Sequence, residues 1–206
     1  MSHKVLEALV ERFGAAIEET HAQFGDDTAV VAPARWHEVA LFLRDDPRCR
    51  MDMFVDLTCV DYLGRQEPRF EVVLHVRSCE KAHRVRLKTR LDDAPDGTAP
   101  AIRSVVDVWA GANWFERETY DMFGVRFEGH PDLRRILLYE EFVGHPLRKD
   151  YDAQKTQPLV PYRTGNVEKL LPFAADEGMP FGRQTHHRWR DVDDPRPTRA
   201  ETEAED

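Results

Sequence analysis

The stretch Glu116-Arg117-Glu118-Thr119-Tyr120-Asp121-Met122-Phe123-Gly124-Val125-Arg126-Phe127-Glu128-Gly129-His130-Pro131-Asp132-Leu133-Arg134-Arg135-Ile136-Leu137 packs charged, aromatic, glycine and proline residues more densely than a surface or core segment needs. Its first part predicts a short amphipathic helix, because Phe115, Thr119, Met122 and Phe123 fall at i, i+4, i+7 and i+8 and share one face. Asn113 is placed to cap that helix. Glu116, three residues on, can reach back to the Asn113 amide in a relative of the capping box. Gly124 suits the left-handed residue that stops a helix.

Beyond Gly124 the chain repeats one punctuation, Gly129-His130-Pro131 and Gly144-His145-Pro146, each followed by leucine and arginine at Leu133-Arg134 and Leu147-Arg148. Glycine permits a positive φ, and proline holds the preceding histidine extended while removing a donor. The carboxylates Glu116, Glu118 and Asp121 precede the cations Arg134, Arg135, Arg148 and Lys149, with Arg117 and Asp150 among them. These charges alternate with Tyr120, Phe123, Phe127, Leu133, Ile136, Leu137 and Tyr151, so the segment is too apolar to lie free in water. Partly buried arginine–carboxylate pairs are therefore expected to fix an extended segment on the helix or on another protein. On this reading, truncating Arg134 or Glu118 strands an uncompensated charge.

The run Glu-Arg-Glu, two residues, Asp121, the apolar pair Met122-Phe123, six residues, His130, three residues, Arg134, one residue, Ile136-Leu137 resembles the signature of the respiratory-chain NADH dehydrogenase 30 kDa subunit family, the C-type subunits of complex I. The onward run Gly144-His145-Pro146-Leu147-Arg148-Lys149-Asp150-Tyr151 is similar to that family as well. The resemblance implies an α+β domain followed by an extended C-terminal segment. It also implies a non-catalytic subunit in the peripheral arm of an NADH:quinone oxidoreductase. The implied principal partner is the 49 kDa-type (D-type) subunit, with other peripheral-arm subunits nearby, and the implied location is the cytoplasmic side of the bacterial inner membrane. FMN, iron–sulfur clusters and quinone are implied to reside in partner subunits, with none on this chain. Glu116, Arg117, Glu118, Asp121, Met122, Phe123, His130, Arg134, Arg135, Ile136, Leu137, His145, Arg148, Lys149 and Asp150 then take structural and docking roles. Because related subunits occur in membrane-bound hydrogenase-type complexes, an equivalent role there is the alternative.

Composition narrows the choice independently. The formal charge of −9 argues against nonspecific nucleic-acid binding, which needs a basic surface. No apolar run is long enough to cross a bilayer, and Glu7 and Glu11 interrupt the N-terminus in a way unlike a signal peptide. Cys49, Cys59 and Cys79 are odd in number and widely spaced, which fits neither zinc nor iron–sulfur ligation and suits small hydrophobes in or near strands. No strand, glycine-rich turn and helix follow one another as in a dinucleotide or P-loop site.

Read in order, the chain predicts a helix from Lys4 to Phe13 that buries Val5, Leu6, Leu9, Val10 and Phe13. A hairpin of Ile17–Phe24 and Thr28–Val31 follows across Gly25-Asp26-Asp27, and then a helix from Pro33 to Arg44 burying Trp36, Val39, Ala40 and Leu43. Three strands come next, at Met51–Tyr62, Phe70–Val76 and Arg84–Leu91. In the last, Arg84, Arg86, Lys88 and Arg90 alternate with inward residues, as on an edge strand guarded against aggregation. A helix from Ile102 to Trp109 precedes the signature helix. The fold class is thus α+β, a mixed sheet of about five strands with helices on one face. Residues 1–125 are the expected compact domain and 126–190 an extended, partner-wrapping segment. Residues 191–206 form an acidic tail expected to be disordered. Six of the thirteen prolines lie beyond Tyr151, among apolar residues such as Leu159, Tyr162, Leu170 and Phe173, which is how a chain wraps a partner without a core of its own. The competing reading is a stand-alone metal-dependent enzyme in which His130, His145 and Asp121 or Asp150 form a metal or acid–base site. No third ligand has a diagnostic spacing to support it.

Overall fold

Strand formation follows the period-two alternation of the sequence. The computed structural model describes residues 3–93 and 99–160 and places β1 at Ile17–His21, β2 at Thr28–Val31, β3 at Met53–Asp61, β4 at Phe70–Ser78 and β5 at His83–Leu91. These strands form one mixed sheet in the order β1-β2-β5-β4-β3, with β2 and β5 parallel and the other neighbours antiparallel. The register aligns Ala29, Leu87, Leu74 and Leu57 across four strands, and all of them are buried. Helices α1 (His3–Phe13) and α2 (Trp36–Asp45) bring Val5, Leu9, Trp36, Val39 and Leu43 into the same core as that face. The expected helix boundaries therefore hold to within a few residues, with Pro33 opening a 3₁₀ turn ahead of α2. Val10 departs from expectation: it lies 47% exposed, since Leu6 and Leu9 already turn α1 to the core.

Strand β5 is interior, not an edge. Its neighbours β2 and β4 occupy both sides, so its cations have no edge to guard. They stand instead on the sheet face opposite the core, where Arg86 meets Asp26 at 2.6 Å, Lys88 meets Glu71 at 2.7 Å and Arg90 meets Glu19 at 3.0 Å. Val30 and Val73, each opposite Lys88 in register, are buried despite lying on this charged face.

The segment expected to be a helix from Ile102 to Trp109 is a short strand and a turn. Strand β6 (Ala101–Arg103) pairs in parallel with β7 (Arg126–Glu128), so the backbone of 101–103 is engaged by a ladder that a helix cannot make. The helical spacing of Ile102, Val105 and Trp109 reflects burial only, with Trp109 Nε1 donating to the Met51 carbonyl at 2.8 Å. Helix α3 (Ala112–Phe123) covers the outer edge of β3, where Thr119 Oγ1 donates to the Leu57 carbonyl at 3.3 Å. A helix laid on a strand edge removes the unpaired groups that would otherwise recruit another strand. Cys49 and Cys59 are buried near this core as expected, whereas Cys79 is exposed.

Residues 126–159 belong to the same compact unit as the sheet, although after β7 they are largely irregular. The remainder of the expected wrapping segment, from 161 to 190, and the acidic tail lie outside the described residues. With Leu74 at the centre of the core, Leu74→Ala is expected to lower stability by about 2–5 kcal/mol. Urea denaturation followed by circular dichroism would show it, and a loss well under 1 kcal/mol would contradict that central position.

Candidate functional site

Helix α3 is a spine along which the rest of the signature runs. Near its N-terminus, His130 Nε2 donates to the Asn113 carbonyl at 3.2 Å, while His130 Nδ1 accepts the Asp132 amide at 3.0 Å. One turn along, Arg117 donates from Nε to the Arg134 carbonyl and from Nη2 to the Arg135 carbonyl, both at 3.1 Å. Farther on, a single oxygen of Asp121, Oδ2, accepts the consecutive amides of Ile136, Leu137 and Leu138 at 3.1, 2.8 and 2.9 Å. The other oxygen meets Arg135 Nη1 at 2.6 Å. The segment thus follows α3 from its first turn to its last.

At the C-terminus of α3 the second Gly-His-Pro copy acts as a cap. The last carbonyls of a helix have no partner within it. Here the Gly124 amide bonds the Tyr120 carbonyl at 2.8 Å and His145 Nδ1 bonds that of Asp121 at 3.0 Å. The Leu147 amide takes the Met122 carbonyl at 3.0 Å and Arg148 Nη1 takes that of Phe123 at 3.4 Å. Gly124 has φ +80, and a Cβ there would lie 2.7 Å from the His145 ring, so both the turn and the packing require glycine. Arg135 and Arg148 also place positive charge beside the negative end of the helix dipole.

A second buried carboxylate ties the same segment to the sheet. Asp61, at the end of β3, receives Arg69 through two bonds of 2.8 and 2.7 Å and the amides of Leu63 and Lys149 at 2.9 and 2.8 Å. Arg69 continues to Asp93 and Asp150, both at 3.0 Å, and Arg148 reaches Asp93 at 2.7 Å and Asp150 at 3.3 Å. The two guanidinium groups lie over the buried Phe70 ring, with centroid distances of 4.6 and 4.9 Å. Burial opposes ionisation of Asp61, but Arg69 and the two amides outweigh it and bring its pKa down to about 2. Asp121 behaves alike: burial works upward, while the Leu138 amide, Arg135 and the neighbouring amides hold the carboxylate below its ordinary range.

Glu116 is the exception among the signature carboxylates. It is fully buried and has no cationic partner among the described residues; Ser104 Oγ donates to Oε2 and the Val105 amide to Oε1, each at 2.7 Å. This replaces the expected capping box, because Gly111 rather than Asn113 precedes the helix and Glu116 faces the interior. Burial pushes its pKa up to about 7, against the pull of Ser104 and Val105.

The remaining signature residues divide clearly. Arg135, Arg148, His145 and Asp150 sit in the networks described, and Lys149 joins through its amide. Met122 and Phe123 pack on the core, as the helix face required. The expectation for Arg134 and Glu118 fails. Among the described residues Arg134 pairs only with Asp132, at 3.0 Å, the two side chains being 67% and 59% exposed, and Glu118 is exposed with no ion pair to any of them. Ile136 lends its amide, and Leu137 is 62% exposed. His130 and His145 lie at opposite ends of α3 and hold backbone groups, so they do not converge as a metal or acid–base pair. Sequence reasoning missed Asp61, Arg69, Asp93 and Ser104. The one available signal was Asp61 itself, a carboxylate in phase with the inward-facing Leu57 and Cys59.

The α+β body is the class of fold seen in the solved trypsin-resistant fragment (1–134) of Nqo5, matched at TM-score 0.52 and 26% identity over 63% of this chain and 99% of that one. The same fold occurs in a chain of the membrane-bound sulfane sulfur reductase, an archaeal respiratory membrane complex, at TM-score 0.59 and 21% identity over 74% and 86% of the two chains. Residues 29–157 match the family of the respiratory-chain NADH dehydrogenase 30 kDa subunit, and the chain belongs to that family. The C-type subunit of NADH-quinone oxidoreductase from Thiobacillus denitrificans is 46% identical over 78% of this chain and 76% of its own length. A C-type subunit of the same oxidoreductase from Rhizobium etli is 40% identical over 94% of each chain. No helix among the described residues is long and apolar enough to cross a membrane.

Asp121→Ala leaves Arg135 and three amides unpaired and is expected to lower stability by about 3–5 kcal/mol, whereas Arg134→Ala changes it by less than about 1 kcal/mol. Equal losses in denaturation experiments would contradict this division. Glu116 has a raised folded pKa, so the stability its protonated form supports is complete below its ordinary 4.5 and falls as pH rises through about 7. Wild type therefore loses on the order of 2–3 kcal/mol from this group between pH 4.5 and 7.5, and Glu116→Gln removes that slope. Parallel pH profiles for the two proteins would rule this out.

Proposed function

We propose that this chain is a non-catalytic structural and assembly subunit of the peripheral arm of an NADH:quinone oxidoreductase, docking a 49 kDa-type (D-type) subunit. The observation that supports it most directly is the character of the segment pinned by Asp121 and Asp61. A run of irregular backbone from 136 to 149 is held by buried charge, yet it turns large apolar side chains outward. Leu137 is 62% exposed, Val143 47% and Leu147 49%. A free monomer gains nothing by ordering an irregular segment in order to expose it, whereas a preorganised apolar surface lowers the cost of binding a partner. In this reading FMN, iron–sulfur clusters and quinone belong to partner subunits, and the chain meets the membrane only through the complex, at the cytoplasmic face of the inner membrane.

The test is co-purification from native membranes in mild detergent. Leu137→Glu and Leu147→Glu alter exposed positions, so the isolated chain keeps its thermal stability. Recovery of the 49 kDa-type subunit and of membrane NADH:quinone activity is expected to fall at least about tenfold, the effect of about 1.4 kcal/mol or more at an interface. Undiminished recovery with both variants would reject docking through this surface.

A further inference from the structure

Between the loop 62–65 and Lys149 lies a notch of about 410 Å³, lined by Val60, Asp61, Tyr62, Leu63, Arg65 and Lys149. Its two walls are fixed by one group. Asp61 Oδ1 accepts the Leu63 amide on one side and Oδ2 accepts the Lys149 amide on the other, at 2.9 and 2.8 Å. Asp61 pairs with Arg69, and the three carboxylates Asp61, Asp93 and Asp150 share the two guanidinium groups of Arg69 and Arg148. The side chains of Arg65 and Lys149, both exposed, have no anionic partner among the described residues. Arg65 and Lys149 thus both line a preformed recess without an ion-pair partner among the described residues, in a chain whose formal charge is −9. Leu63, 44% exposed, adds an apolar rim.

We infer that this notch receives an aspartate or glutamate side chain carried on an apolar segment of the partner subunit. The inference rests on the docking reading above and extends its surface. Lys149 lies two residues beyond Leu147, so the notch continues the exposed apolar run. Arg65 and Lys149 supply charge-assisted hydrogen bonds that the carboxylate cannot find on an apolar surface, and Leu63 and Tyr62 pack its stem. Cations at a partly enclosed recess also select against partners carrying positive charge there, which sets register as well as affinity. Asp61 is a positioning residue in this arrangement, since it shapes the recess and pairs with Arg69.

The experiment uses the full chain in its native membranes, with a photo-crosslinking amino acid replacing Leu63 and, separately, with Arg65→Glu/Lys149→Glu. The expected result is a crosslink to a 49 kDa-type subunit within a few residues of an aspartate or glutamate. The double charge reversal should lower co-purification about tenfold or more while the isolated chain keeps its melting temperature. A crosslink to this chain's own acidic C-terminal residues 201–206, a crosslink to a second copy, or no crosslink in assembled complexes would each overturn the inference. Chains that assemble normally with the charges reversed would overturn it too. Failure of the wild-type chain to recover any 49 kDa-type subunit is a different result, because it removes the docking reading itself.

Discussion

The buried carboxylate of Asp121 is the constraint on which the signature depends. A charge at zero exposure is tolerable only when its lone pairs are filled. Asp121 fills them with Arg135 and three successive amides from a segment 15 to 17 residues downstream. Satisfying the charge therefore dictates the path of the backbone at 136–138. Arg135, once placed, has spare donors, and these take the carbonyls of Phe142 and Gly144 at 2.9 Å, which carries the constraint to the second glycine turn. His145 and Arg148 then close the C-terminus of α3, and the Lys149 amide reaches Asp61. Irregular chain acquires a fixed shape through hydrogen bonds to carboxylates where no ladder or helix is available to supply them.

This architecture explains why the two Gly-His-Pro copies look alike in sequence but do different work. In each, glycine makes the turn and the histidine ring bonds a carbonyl of α3. The first copy sits near the start of the helix and leaves the following arginine, Arg134, in solvent. The second sits at the end, where unpaired carbonyls and the dipole reward cations, and its arginine is drawn inward to Phe123 and Asp93. Position relative to the helix, not local motif, decides whether the arginine is structural.

Much of this was legible in the sequence wherever the local pattern and the tertiary environment agreed. Alternation placed β3, β4 and β5, glycine placed the stop at Gly124 and the turns at Gly129 and Gly144, and the mixture of charge with aromatics announced buried ion pairs. What was not legible depended on partners distant in sequence. The cations of β5 resembled edge protection because alternation is the same on an interior strand, and only pairing with β2 and β4 distinguishes the two. The run from Ile102 to Trp109 fits a helical period, yet β7, more than about twenty residues on, claims its backbone. Glu116 looked like a capping residue because Asn113 stands three positions earlier, but burial beside Ser104 gave it a different task. Which arginine pairs with Asp121 could not be read either, since Arg134 and Arg135 are adjacent and only the fold separates them.

If Asp121 orders the exposed segment, amide hydrogen exchange on the full-length chain tests it most directly. In wild type the amides of Leu137 and Leu138 should exchange slowly for residues in irregular backbone, because they donate to a buried carboxylate. In Asp121→Asn, which keeps the shape and loses the charge, protection at 136–138 and around Gly144 should collapse while the sheet amides of Leu74 and Leu87 stay protected. Unchanged protection at 136–138 would show that the segment is held by something else, and the signature would not be a carboxylate-pinned surface.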